Sequence, residues 1–255
     1  MEERLSEAVR NDKVEGVEEI LRENPNLNVD MRDGSGYTAL YIACARGLDP
    51  IVSILLARRA IDVNLKDFLG FTPFMRACDN GRTSSVRLLL KDPRVLVNER
   101  DVDGETALLY AACYGLLDII RWWIVSGREM DLGEAGDGRA DAIKAAKKSG
   151  ETAVVALLER FKKNPAETRH AMRVGLGLID ELAAEMFAMV VFVSDGLMQV
   201  RATTTTTPAA RYFSIATQLP LELQMVLCYR VAGVPKEIIP AMERETAFTN
   251  LAKRI

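Results

Sequence analysis

DGSGYTALYIACARG occupies residues 33–47, and it returns as DFLGFTPFMRACDNG at 67–81 and as DVDGETALLYAACYG at 101–115. Superposing the three puts Gly36, Gly70 and Gly104 in one column and Thr38, Thr72 and Thr106 in another, each one step of 34 residues apart. Ala43, Ala77 and Ala111 keep the same step, as do Gly47, Gly81 and Gly115, then Leu56, Leu90 and Ile124, then Asn64 and Asn98. Chance does not hold that many registers at once. A period between about 20 and 50 residues marks supersecondary units that stack on one another.

Each unit can be read from its own chemistry. Asp and Gly open a tight turn, with Gly taking a backbone conformation costly to other residues. A threonine follows, whose hydroxyl can accept from the free amides of a first helix. Small residues come next (Ala43, Cys44; Ala77, Cys78; Ala111, Ala112), so that neighbouring helices can approach closely. Gly47, Gly81 and Gly115 then end the helix. A second helix carries an apolar stripe: Ile51, Val52, Leu55 and Leu56 in the first unit, Val86, Leu89 and Leu90 in the second, Ile119, Ile120, Trp123 and Ile124 in the third. Trp122 and Trp123 sit on that second helix, which places them in the core or on the back face.

GYTALYIACARG, GFTPFMRACDNG and GETALLYAACYG resemble the ankyrin repeat, with its G-x-T-P-L-H-x-A-A-x-x-G signature and its helix-turn-helix unit. The resemblance implies an all-α solenoid over residues 1–162, three full repeats between two caps. LSEAVRNDKVEGVEEILREN (5–24) supplies two helices without the turn as the first cap. GRADAIKAAKKSGETAVVALLERF (138–161) is the last, with Ser149 in the place of the closing glycine and a polar outer face. The family's histidine is missing from its slot, which holds Tyr41, Met75 and Leu109. Packing then replaces most of a polar tie between loops, although the Tyr41 hydroxyl can keep one bond. The loops at 64–70 and 98–104 are expected to be looser for it.

In this family partners meet the loop tips and the exposed side of the first helices, so the variable positions there are the candidate protein-binding residues. They are Tyr37 and Arg46 in the first repeat; Phe68, Leu69, Phe71, Asp79 and Asn80 in the second; and Val102, Asp103, Glu105 and Tyr114 in the third. Phe68, Leu69 and Phe71 put apolar side chains where solvated polar ones are expected. Exposed apolar clusters mark contact sites, and aromatic anchors dominate interface energetics.

The period stops after ERFKKNPAETRH (159–170). Residues 163–200 read as a helical extension, with Leu178, Leu182, Met186 and Val190 at helical spacing. MVVFV followed by SDG also fits a hairpin. RATTTTTPAA (201–210) is a low-complexity linker. Residues 211–255 read as short helices, and LPLEL (219–223) with AFTNLA (247–252) resembles an F-box, including the F-box-like tails that follow ankyrin repeats in some viral host-range proteins. That resemblance implies docking on a Skp1-type adaptor of a cullin ubiquitin ligase through Leu219, Pro220, Leu223, Val226 and Leu227. The alternative is a structural scaffold whose C-terminal helices pack on the repeats or self-associate.

Chemistry finds little to stand on. Across 255 residues there is one histidine, His170, in a polar segment that reads as surface. GxxxxGK[ST], HExxH and GxSxG do not occur, and DVDG at Asp101 belongs to the repeat's turn rather than to a calcium loop. No catalysis, cofactor or metal is expected. A formal net charge of −3 advertises no nucleic-acid or anionic-membrane partner. Cys44 and Cys78 occupy equivalent positions, and stacked helices lie roughly 10 Å apart, beyond disulfide reach. The four cysteines therefore read as reduced thiols of a cytoplasmic or nuclear protein. The opening MEERLSEAVRND is charged and amphipathic, not the pattern of a secretory leader. The most apolar run, 187–193, is far short of the about 20 residues a membrane helix needs.

Overall fold

Each first helix begins where a threonine hydroxyl takes up a free backbone amide. Thr38 Oγ1 accepts from the Tyr41 N–H at 3.2 Å, Thr72 from Met75 at 3.2 Å and Thr106 from Leu109 at 3.3 Å. The computed structural model describes residues 2–133 and 141–178, together with 183, 186–190, 224, 227 and 228. Its helices are α1 (Glu2–Arg10), α2 (Val14–Glu23), α3 (Ala39–Arg46), α4 (Asp49–Leu56), α5 (Pro73–Asp79), α6 (Thr83–Lys91), α7 (Ala107–Cys113), α8 (Leu117–Ser126), α9 (Ala142–Ser149), α10 (Thr152–Lys163) and α11 (Pro165–Gly175). The one strand-like pairing among the described residues is the bridge between Arg100 and Thr106.

Two compact units divide the chain, residues 1–169 and 170–255. In the first, helix pairs stack in order. Odd-numbered helices from α1 to α9 form one layer and even-numbered helices from α2 to α10 the other, with each helix packed on the next of its own layer. Ala43, Cys44, Ala77, Cys78, Ala111 and Ala112 are all fully buried, which is the close approach their size allows. Burial also pushes the Cys44 and Cys78 thiols far above their ordinary range, so both stay protonated. Ile51, Val52, Leu55, Val86, Leu89, Ile119, Ile120, Trp123 and Ile124 line the second layer with no more than 1% exposure. Trp123 is fully buried edge-on to Phe74 at 5.0 Å, and its indole N–H reaches the Glu129 carbonyl at 3.3 Å. Trp122 lies on the surface of α8 beneath the Arg87 guanidinium, 3.8 Å from the ring centroid.

The last repeat closes one residue later than the 34-residue step places it. Ser149 is the final helical residue of α9, and Gly150 takes the left-handed conformation, φ 80°, that ends the helix. The expected exchange of Ser149 for the closing glycine is therefore corrected: the glycine is kept and shifted. Asp141 replaces threonine as the cap, accepting from the Lys144 N–H at 2.9 Å.

The Tyr41 hydroxyl keeps the one bond expected of it, but the expectation that packing replaces most of the remaining polar tie is corrected, because other ties are present. The Tyr41 hydroxyl, in the histidine slot, donates to Asp67 of the next repeat at 2.6 Å. Asp30, Asn64 and Asn98 stand 34 residues apart, and each side chain accepts from a backbone N–H of the following repeat: Asp62 at 3.1 Å, Leu96 at 2.8 Å and Asp131 at 3.2 Å. Between the second and third loops the Val102 N–H donates to the Leu69 carbonyl at 3.1 Å, and Lys66 Nζ to the Arg100 carbonyl at 3.0 Å. Hydrogen exchange is expected to be slow at the Val102 amide and fast at the exposed Phe68 amide, which has no such partner. Equal and fast exchange at both would mean that the loops are loose after all.

In the second unit, residues 170–175 complete α11, and residues 183, 186–190, 224, 227 and 228 are helical. Ala183, Phe187, Ala188, Val190, Gln224 and Cys228 are buried, and Leu227 is half-buried. Leu219, Pro220, Leu223 and Val226 lie outside the described residues, as do the low-complexity segment and the rest of the helix-or-hairpin stretch. Among the described residues no helix is long and apolar enough to cross a membrane.

Candidate protein-binding surface

An aspartate builds each loop that reaches away from the stacked helices. One carboxylate oxygen of Asp33 accepts from Ser35 and Tyr37 N–H at 2.8 and 3.0 Å. Asp67 does the same for Leu69 and Phe71, both at 2.9 Å, and Asp101 for Asp103 and Glu105, both at 2.9 Å. Folding the chain around a carboxylate turns the two residues after it outward. That is why Phe68 is 74% exposed, Leu69 56% and Val102 67%.

The tips are seated on one another through glycine. A Cβ on Gly36 would stand 2.5 Å from the Phe68 ring, and one on Gly70 would stand 2.8 Å from the Val102 amide nitrogen. Both glycines have φ above 80°, which disfavours a side chain at either, and at Gly70 the neighbouring backbone leaves no space for one as well. With the Val102 to Leu69 hydrogen bond, this aligns Phe68, Leu69 and Val102 as a single apolar ridge across the second and third fingers.

The second carboxylate oxygen of each loop aspartate finds a different partner in every repeat. Asp33 pairs with Arg10 of the first cap. Asp67 accepts from the Tyr41 hydroxyl at 2.6 Å and lies at 3.5 Å from Arg76. Arg76 also donates to the Tyr41 oxygen at 2.6 Å and to Asp79 at 2.7 Å. Asp101 instead takes the hydroxyl of Tyr110 at 2.6 Å, at the position 34 residues after Arg76. Burial first, then the bonds to Asp101 and Glu105, drive the Tyr110 phenol far above its ordinary range. Tyr41 is raised in the same way by burial and Asp67, against the opposing pull of Arg76.

One candidate residue is not on the surface. Phe71 is only 8% exposed, and its expected place in the apolar tip is corrected. Its amide is bonded to Asp67, which turns the ring inward under the Arg76 guanidinium at 4.1 Å and beside Tyr110 at 5.2 Å. Other candidates are at the surface but held. Tyr37 stacks on Tyr41 at 4.6 Å, Arg46 donates to the Arg10 carbonyl of α1, and Asn80 donates to the Ala45 carbonyl at 2.9 Å. Asp79 is taken up by Arg76. Tyr114 is 58% exposed, and Asp103 is exposed at the third tip. Sequence reading missed Arg58, Arg94 and Arg128, which clamp the loops after the second helices to the preceding repeat. Among the described residues, no group of three or more His, Cys, Asp or Glu side chains is placed to hold a metal ion.

Stacked helix pairs, glycine-backed fingers and threonine caps recur together three times. The family described as ankyrin repeats (3 copies) matches residues 5–96 and again 62–132, so residues 5–132 are covered, just over half of the chain. This chain belongs to the ankyrin-repeat family. No curated protein matches it. Ankyrin repeats are protein–protein interaction modules.

Proposed function

We propose that this ankyrin array is a non-catalytic binding module that takes a protein partner on its finger tips and the adjoining face of the first helices. The observation that carries the reading is the Phe68, Leu69 and Val102 ridge. Three apolar side chains, each more than half exposed, stand on fingers whose backbones are seated together at Gly70 and joined by an inter-finger hydrogen bond. Pre-positioned apolar anchors favour binding because little freedom remains to be lost. Tyr37, Arg46, Asp79, Asn80, Asp103, Glu105 and Tyr114 surround or extend that surface. Affinity capture by the full-length protein, with a Phe68→Ser, Tyr114→Ala variant as its control, is the test. A partner held by the parent and lost by the variant supports the reading, whereas equal recovery by both removes these surfaces from it.

A finer reading concerns residues 211–255. LPLEL, with helical and buried Gln224 and Cys228 just after it, supports an F-box-like segment that docks a Skp1-type adaptor and makes the chain a substrate receptor of a cullin ubiquitin ligase. Co-purification with a purified Skp1-type protein is expected, and it should fall sharply when Leu219 and Pro220 are both changed to alanine. Retention at full strength would end the ubiquitin reading. Concentration-dependent self-association without adaptor capture would favour the scaffold in its place.

A further inference from the structure

The charges around the apolar ridge are not balanced evenly along it. In the second repeat the loop carboxylate Asp67 faces Arg76, which also takes up Asp79. In the third repeat the arginine's position holds Tyr110, so Asp101 has a neutral hydroxyl for a partner and Glu105 stands beside it. Two nearby cations are already engaged: Lys66 pairs with Glu99 at 2.6 Å and Arg100 with Asp131 at 3.0 Å, while Lys148 of α9 is exposed on the Cys113 side. Among the described residues Asp101, Asp103 and Glu105 form no ion pair, and Asp103 is exposed directly after Val102. The ridge therefore runs from an apolar end at Phe68 to an anionic end at Asp103.

Resting on the protein-binding reading above, we propose that this ridge selects a peptide segment in which apolar side chains adjoin a lysine or arginine. The apolar side chains cover Phe68, Leu69 and Val102, and the cation meets Asp103 and Glu105. Removing three exposed apolar side chains from water supplies affinity, while Asp103 and Glu105, neither held by a cation, supply orientation and exclude acidic segments. An acidic or purely apolar partner would leave those carboxylates without a counter-charge at the rim, so the charge sets which partners are accepted.

The test is selection of a randomised peptide display library on the full-length protein, followed by affinity measurements with the best enriched peptide. Enriched peptides should carry Lys or Arg next to Leu, Phe, Trp or Met, and binding should weaken as salt is raised. Phe68→Ser should lower affinity roughly thirtyfold, the loss typical of an interface anchor. Asp103→Lys should lower it roughly tenfold and shift a repeated selection toward acidic peptides. Both positions are exposed, so unchanged thermal unfolding of the two variants is the control for folding. Enrichment without basic residues, or affinity unchanged in both variants, overturns the proposal. If that affinity falls instead on Tyr114→Ala, the chain still binds proteins and only the ridge is excluded. Absence of any enrichment counts against both readings.

Discussion

Gly70→Ala should destabilise the array by about 3 kcal/mol or more, and Gly104→Ala by only about 1–2 kcal/mol. The two glycines occupy the same column of the repeat and share the same backbone, φ 82° and 81°. A side chain in that conformation costs about 1–2 kcal/mol at either position. They part in what lies outside. A Cβ at Gly70 would meet backbone atoms of Asp101 and Val102 at 2.8 to 3.0 Å, whereas nothing lies within 4 Å at Gly104. Backbone cannot rotate away as a side chain can, so the third finger would have to shift and its Val102 to Leu69 hydrogen bond would stretch. Overpacking of this kind adds about 1–3 kcal/mol. Urea unfolding of the two variants gives the comparison directly. Equal losses would show that the fingers are not in close contact, and the aligned apolar ridge would then lose its support.

That pair of glycines also marks how far the sequence could be read. A glycine repeated every 34 residues announces the turn, and the threonines two residues later announce the caps, because both are local requirements. Which glycine is crowded depends on the next finger, and nothing within one repeat says so. Phe68 and Leu69 were legible as exposed because they fall on a loop tip of the repeat. Phe71 was not: its ring is drawn in by Arg76 of the following helix and by Tyr110 of the next repeat, and only the stack supplies the second of these. The histidine slot misled for a related reason. Losing the histidine looked like losing all of the tie but one bond from Tyr41, which the carboxylate at position 67 accepts, whereas the amides at 62, 96 and 131 supply further ties. Asn64 and Asn98 kept the period in the sequence, and their hydrogen bonds to the next repeat give the reason.

Arg94→Ala is expected to cost about 2–3 kcal/mol, more than its half-exposed position suggests. Its guanidinium donates to the Leu56 carbonyl at 2.6 Å and to the Arg58 carbonyl at 3.0 Å, while two nitrogens hold Asp92 at 2.6 and 3.0 Å. The Leu56 carbonyl ends α4 and has no helical partner of its own, and the Arg58 carbonyl just past the helix otherwise accepts a long bond from the Ile61 N–H at 3.4 Å. Arg58 does the same to Pro25 at 2.7 Å, and Arg128 to Asp92 at 3.0 Å, so each arginine fastens one repeat to the loop of the one before. Removing the donor leaves several acceptors short, at about 1 kcal/mol or more for each bond to a charged group. Arg94→Lys should recover little, because a single ammonium cannot span Leu56, Arg58 and Asp92 as a planar fork does. Acid separates the two parts of the loss. Burial alone would raise the Asp92 carboxyl, but its hydrogen bonds from Arg94 and the Arg94 and Arg128 charges outweigh that and hold it below the ordinary 3.8. A depressed carboxyl contributes stability that is complete above the unfolded value and disappears as pH falls through the folded one. The difference between parent and Arg94→Ala should therefore be full above about pH 5 and shrink as the pH drops below 4, leaving the carbonyl part. Asp92→Asn should show the pH-dependent part alone. A difference that stays constant with pH would assign the whole effect to the carbonyls and remove Asp92 from the clamp.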